Sequence, residues 1–248
     1  MLKRYMPLVD KQNIDIIIIV IASRGDIYDD LINNYWSKII SYSKQKKFNI
    51  KFFLIFGNNY QTNDLNIDDE DKMILNISDN YIPGILNKTI KAFEIINQSY
   101  SYKHIFRTNL SSFLILDNLI KISESLNDTK VFAGVIGNHH NILFVSGAGF
   151  WLSEDYINYI LNNYNKLYEK NYHHRISDDV CIGILLPVQK IKLHRFDLTN
   201  NLLSKDKKQL LEDIIKNNHY HIRIKNEKNR MLIDMDYMNA FTNQLYTL

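Results

Sequence analysis

The longest apolar run in the chain, IDIIIIVIA from Ile14 to Ala22, shows no polar alternation, which predicts a central strand covered on both faces. It stops at SRGD, and from Asp29 to Lys44 the apolar positions Leu31, Ile32, Tyr35, Trp36, Ile39 and Ile40 recur at helical spacing. Ile50 to Phe56 predicts a second buried strand, and the polar stretch from Asn58 to Asp71 a surface loop. A short strand over Met73 to Ile77 and a long helix over Tyr81 to Gln98 follow, with Pro83 in its first turn. Then His104 to Arg107 reads as a strand running into Thr108, Asn109, Leu110, Ser111 and Ser112, with a helix from about Leu116 to Leu126. Beyond it, Val131 to Ile136 and Asn141 to Val145 read as strands flanking GNHH, and SGAG, residues 146–149, as a flexible turn. A helix over Asp155 to Tyr168, an apolar helical segment from Val180 and a strand over Ile191 to Phe196 complete the pattern.

Alternation of strand and helix followed by a strand-rich second half predicts an α/β fold, a Rossmann-like mixed sheet flanked by helices. No repeat or linker divides the chain, so one domain over residues 1–248 is expected. Ligands of such sheets bind beyond the carboxyl ends of the strands, where SRGD, TNLSS and SGAG fall.

Composition narrows the function by exclusion. A net charge of +3, with Lys and Arg dispersed, argues against a nucleic-acid partner. The single cysteine, Cys181, excludes a disulfide framework and a cysteine-based zinc site and fits a reducing compartment. The Ile14 to Ala22 run is about half the length a bilayer crossing needs, and no signal-peptide pattern surrounds it. A soluble, cytoplasmic protein without a membrane span is the expectation. No phosphate-binding GxxxxGK[ST], no GxGxxG after a strand, no HExxH and no GxSxG occurs.

What does occur is an ordered series: DNYIPGILNKT, HIFRTNLSSF, SGAGFWLS and SDDVCIG. It resembles the glycosyltransferases of family 31, the β-1,3-galactosyltransferase and fringe type, over roughly residues 14 to 190. Asp79, Tyr81, Leu86, Lys88 and Thr89 match that family's DxYxNLTxKT helix. Gly147, Gly149, Phe150 and Ser153 match its GxGYxxS loop, and Asp178, Asp179, Val180 and Gly183 its EDVxxG segment. The resemblance implies the GT-A fold, a nucleoside-diphosphate sugar donor, with UDP as the base carrier, a glycan acceptor, and inverting transfer. Where the family carries an acidic triplet, this chain has Thr108, Asn109 and Leu110, so the carboxylate bridge to Mn²⁺ or Mg²⁺ is missing. The RTNLSSF segment also resembles short soluble proteins of large DNA viruses and bacteria, and a viral origin would put the protein in the host cytoplasm.

Two routes to holding the diphosphate stay open. The cation is dispensed with, its part taken by basic side chains and backbone amides, or it is weakly bound, with His221 and Asn109 as candidate ligands. Reading His219 to Lys225 as a strand places His219, His221, Arg223 and Lys225 on one face, with Arg230 shortly after. Asp179 is the expected general base and Asp178 its neighbour, although acidic residues at the start of a helix also act as caps. Arg24 is placed either to meet the nucleotide or to pair with Asp26 or Asp29. Arg107, after an apolar strand, demands a phosphate or a carboxylate. Asn109 and Ser111 are read both as turn formers and as donor contacts, and Lys88 as a donor contact by the resemblance alone, a solvated lysine otherwise. Gly147, Gly149 and Trp151 are candidates for the sugar pocket, Trp151 being otherwise a core residue. His139–His140 and His173–His174 read as loop histidines, because adjacent side chains do not converge on one metal. A catalytically silent sugar- or nucleotide-binding relative is the alternative function.

Overall fold

In the computed structural model, residues 11–58, 60–189, 191, 193–198, 206–226 and 229–247 are described, Asp26 by its backbone only. Residues 227 and 228, between Lys225 and Arg230, lie outside them.

Strand β1 (Gln12–Ile21) sits at the centre of a six-stranded sheet with β2 (Ile50–Phe56), β3 (Lys72–Ile74), β4 (Tyr100–Asn109), β6 (Phe132–His139) and β7 (Ile142–Ser153). The order is β3-β2-β1-β4-β7-β6. The first four pair in parallel, and β7 runs antiparallel to both β4 and β6. The apolar run of β1 divides between two cores, as a strand with two buried faces must. Ile16, Ile18 and Val20 enter one core, and Ile17, Ile19 and Ile21 the other.

The first core is closed by α1 (Asp26–Leu31) and α2 (Ser37–Gln45), joined by a π-helical turn over Ile32–Trp36, and by α4 (Leu116–Ser125), α8 (Lys207–Lys216) and α9 (Met235–Leu245). The second is closed by α3 (Gly84–Ser99), α5 (Glu154–Asn163), α6 (Asn165–Glu169) and α7 (Asp178–Leu185). Helix α3 starts later than the periodicity suggests. Residues 80–83 form a turn containing a cis Ile82–Pro83 peptide, and Asn80 Oδ1 accepts from the Gly84 N–H at 2.6 Å.

The π turn positions the segment after β4. Its Trp36 indole donates to the Leu110 carbonyl at 3.3 Å, and its Tyr35 hydroxyl accepts from the Leu114 N–H at 2.6 Å. These bonds hold β5 (Ser112–Leu114) in place as the edge of a second, three-stranded sheet with β9 (His221–Ile224) and β8 (Arg195–Leu198), in the order β5-β9-β8. The C-terminal basic segment is thereby carried to the end of β4, with Ser112 opposite Arg223.

Two expectations need correction. SGAG is not a turn: residues 146–149 lie within β7, which bonds β4 with Thr108 opposite Gly149. Small side chains there serve close approach by other residues rather than a change of chain direction. The strand expected over Ile191 to Phe196 is instead Arg195–Leu198, because its partner β9 begins at His221.

Candidate active site

A cleft of about 490 Å³ opens beyond the carboxyl ends of β1 and β4. Its lining draws on the turn before α3, on β4 and the segment after it, on β7, on the start of α7 and on β9. The place is where a doubly wound sheet leaves room for a ligand.

Arg107, near the end of β4, is 3% exposed and forms an ion pair of 2.6 Å with Asp178, also buried. Its guanidinium lies 5.4 Å from the Phe150 ring centre and donates a further hydrogen bond to the Gly147 carbonyl. The same glycine donates its N–H to Asp179 Oδ2 at 2.8 Å. Asp179 Oδ1 accepts from the Ser177 hydroxyl at 2.6 Å and from the Val180 N–H at 2.9 Å. One arginine thus ties β4 to both β7 and the first turn of α7, and Asp179 is oriented by three donors. A side chain on residue 147 would lie 3.1 Å from Arg107 and 3.2 Å from Asp179, so glycine is what lets this junction close. Burial pushes the Asp178 carboxyl up, with the Arg107 guanidinium opposing.

Lys88 is 1% exposed, pairs with Asp79 and donates to the Ala22 carbonyl at 2.9 Å. Its burial draws the ammonium pKa down. Expected as a donor contact, or otherwise as a solvated lysine, Lys88 lines the cleft as an internal tie between α3 and the end of β1, its charge met by Asp79. On the far wall Arg230 donates to Ser111 Oγ at 2.6 Å and to the Tyr28 hydroxyl at 3.2 Å, and pairs with Asp234 at 3.1 Å. Asn109 Oδ1 accepts from the Ser111 N–H at 3.1 Å, a turn contact, while both residues also line the cleft. Arg223 and Lys225 line it too, and their side chains make no hydrogen bond or ion pair among the described residues.

Other expected site residues lie elsewhere. Arg24 is not in the cleft wall: it pairs with Asp29 at 2.8 Å and Asp64 at 2.7 Å, which leaves no free donor edge for a nucleotide. His221 is fully buried below the floor, Nε2 within 2.9 Å of Ser112 Oγ, and burial holds its pKa well below the usual histidine value. Gly149 lies directly against it, so a Cβ there would stand 2.6 Å from His221 Nδ1, and this glycine makes room for the histidine rather than for a sugar. Trp151 is fully buried among Phe106 and Tyr220 and faces no cleft. His139 and His140 sit at the β6–β7 turn. His219 packs against His194 and Phe196, away from the cleft. Pattern reading missed Tyr28, Phe144 and Ser146 as cleft residues, and it took Asp79 and Tyr81 as motif matches only. Their apolar or turn contexts gave no signal that distant segments would meet.

The donor set does not fit a divalent cation. Of the carboxylates lining the cleft, Asp79 is taken by Lys88, Asp178 by Arg107, and Asp179 by three hydrogen-bond donors. Hard cations need several oxygens converging at about 2.0–2.6 Å. The pair His221 and Asn109 does not supply that: His221 Nε2 is bonded to Ser112, its Nδ1, without a hydrogen-bond partner among the described residues, is buried against Gly149, and Asn109 Oδ1 accepts from the Ser111 backbone. Among the described residues the acidic side chains that converge are Asp68, Glu70 and Asp71, outside the cleft and paired with Lys44. No helix among the described residues is long and apolar enough to cross a membrane.

No protein-family model and no curated protein matches the chain by sequence. Among solved structures it is similar to the galactosyltransferase LgtC in complex with donor and acceptor sugar analogues. The TM-score is 0.54 at 10% identity, over 95% of this chain and 97% of that one. An active-site mutant of LgtC gives 0.53 at the same identity and coverage. The six-stranded mixed sheet between helical layers and this likeness over nearly the whole chain together show the GT-A fold.

Proposed function

We propose that the chain is a single-domain glycosyltransferase of the family-31 kind. It moves a sugar from a nucleoside-diphosphate donor, a UDP-sugar, to a glycan hydroxyl with inversion. The observation that carries this reading is a charge imbalance inside the cleft. Its three carboxylates are committed to internal partners, whereas the side chains of Arg223 and Lys225 make no hydrogen bond or ion pair among the described residues. Two uncommitted cations in a cleft of that size suit a pyrophosphate.

In this reading Arg223 and Lys225 hold the diphosphate oxygens, and Ser111 and Asn109 the ribose or donor sugar. Arg230 keeps the wall in shape through Ser111 and Tyr28. Asp179 accepts the proton of the acceptor hydroxyl as that oxygen attacks the anomeric carbon. The bond from that carbon to the diphosphate oxygen breaks, and the electron pair leaves with the nucleoside diphosphate, where the two cations stabilise the growing charge. Attack opposite the leaving group inverts the anomeric centre.

The test is Asp179→Asn, scored for donor binding by thermal shift and for turnover by release of nucleoside diphosphate. Binding stays near wild type and turnover falls by about 10²–10⁴-fold. Unchanged turnover refutes the assignment. One observation favours a second reading, a silent nucleotide- or sugar-binding protein: Asp179 already accepts three hydrogen bonds, so both its oxygens are occupied before an acceptor hydroxyl arrives. That reading requires donor binding with no release from the wild-type chain.

A further inference from the structure

Tyr81 lines the cleft while 66% of it is exposed, and among the described residues no ring packs on it and no cation sits over it. A solitary exposed aromatic needs no explanation by itself. What distinguishes this one is its position. It lines the same cleft as Asp179, and the Ser177 hydroxyl, which acts on the Tyr81 phenol, donates to Asp179 Oδ1 at 2.6 Å. Burial, and after it the charges of Asp179 and Asp178, raise the phenol pKa, so the phenol stays neutral beside them.

Its backbone is fixed by the turn before α3, where Asn80 accepts from the Gly84 N–H. A second aromatic of the cleft, Phe144, packs so closely on Gly183 of α7 that a Cβ there would lie 2.7 Å from Phe144 Cβ. Phe144 therefore packs on the helix that carries Asp179, and Tyr81 lines the same cleft. The uncommitted cations come instead from β9, paired with β5. Tyr28, the cleft's other tyrosine, has its ring occupied by Arg230 at 5.5 Å.

Accepting that Asp179 takes the acceptor proton, the attacking hydroxyl must come within about 2.6–3.2 Å of that carboxylate. Whatever stacks on Tyr81 is then the ring that bears this hydroxyl. A hexopyranose offers a face of C–H bonds to an aromatic ring and hydroxyls at its edge, which matches a tyrosine with an apolar body and a polar tip. The nearest charge without an opposite charge as partner is the Asp179 carboxylate, which repels an acidic sugar. We propose that Tyr81 is the platform of an acceptor subsite for a neutral hexopyranoside, which it takes face-on and presents to Asp179.

The experiment is saturation-transfer NMR on the full chain with UDP present. The probes are methyl β-D-galactopyranoside, methyl β-D-glucopyranoside and methyl β-D-glucuronide. The wild-type chain saturates the ring protons of at least one neutral glycoside and not those of the glucuronide. Tyr81→Ala weakens that binding by about tenfold and Tyr81→Trp retains it. The thermal shift given by UDP is the same in all three proteins. No neutral glycoside bound by the wild-type chain, equal binding by Tyr81→Ala, or preference for the glucuronide overturns the proposal. So does loss of the UDP shift in Tyr81→Ala, which would put Tyr81 on the donor. A wild-type chain that no nucleotide or nucleotide sugar stabilises is a separate outcome: it removes the transferase reading itself.

Discussion

Arg107 brings together a buried charge, its ion-pair partner Asp178 and the Gly147 backbone that orients Asp179. Removing it leaves Asp178 buried without a counter-ion, so Arg107→Met is expected to lose about 3–5 kcal/mol in urea unfolding. The double change Arg107→Met with Asp178→Leu should recover much of that, since no charge is then stranded. A single variant as stable as wild type contradicts the pairing. His221 sets a second expectation at this scale. Its folded-state pKa lies well below the ordinary 6.5, as burial makes the neutral form the stable one. The unfolded chain therefore takes up the proton first, and the stability tied to the neutral ring is complete above pH 6.5 and lost as pH falls below it. The slope is at most about 1.4 kcal/mol per pH unit per histidine. His104 and His219, also lowered by burial, add to it. Urea titrations between pH 7.5 and 5.5 check this, and His221→Gln flattens the profile.

Within elements, the glycines of β7 show how a pattern can mislead. SGAG carries the composition of a turn, yet Gly149 is in register with Thr108 and lies beneath His221. A methyl group there meets His221 at 2.6 Å and the Phe106 ring at 2.9 Å. Gly149→Ala should cost about 1–3 kcal/mol by overpacking, readable as a lowered urea midpoint; no change would mean that the histidine can move aside. Elements defined by their own hydrophobic period were legible: β1, β2, the helix from Asp29 and α4 fall within a few residues of expectation. Their apolar faces depend on one stretch of chain. Those that depend on a distant partner were not. β5 has three residues and gains its identity from pairing with β9. Lys88 looks like any lysine on an amphipathic helix until Asp79 and the Ala22 carbonyl close on it.

Taken whole, the molecule brings the end of β4, the start of α7 and a segment more than a hundred residues beyond β4 to one cleft. The alternation of strand and helix foretold the mixed sheet, and the motif residues Arg107, Gly147, Asp178 and Asp179 line one cleft. They could not foretell that Arg24 would be satisfied outside the cleft or that His221 would be sealed beneath it, because both outcomes follow from contacts across the fold. At this scale the claim concerns net charge: with its carboxylates committed, the cleft faces its ligand through Arg223 and Lys225. Binding of a nucleoside diphosphate should then weaken with added salt. The most direct test is calorimetric titration of UDP into the wild-type chain and the Arg223→Ala/Lys225→Ala variant, each in EDTA and in Mn²⁺. The account predicts that the wild-type chain binds equally well in both, and that the variant loses about tenfold or more, as two charge-assisted contacts disappear. Binding that appears only with Mn²⁺, or survives intact in the variant, would contradict it.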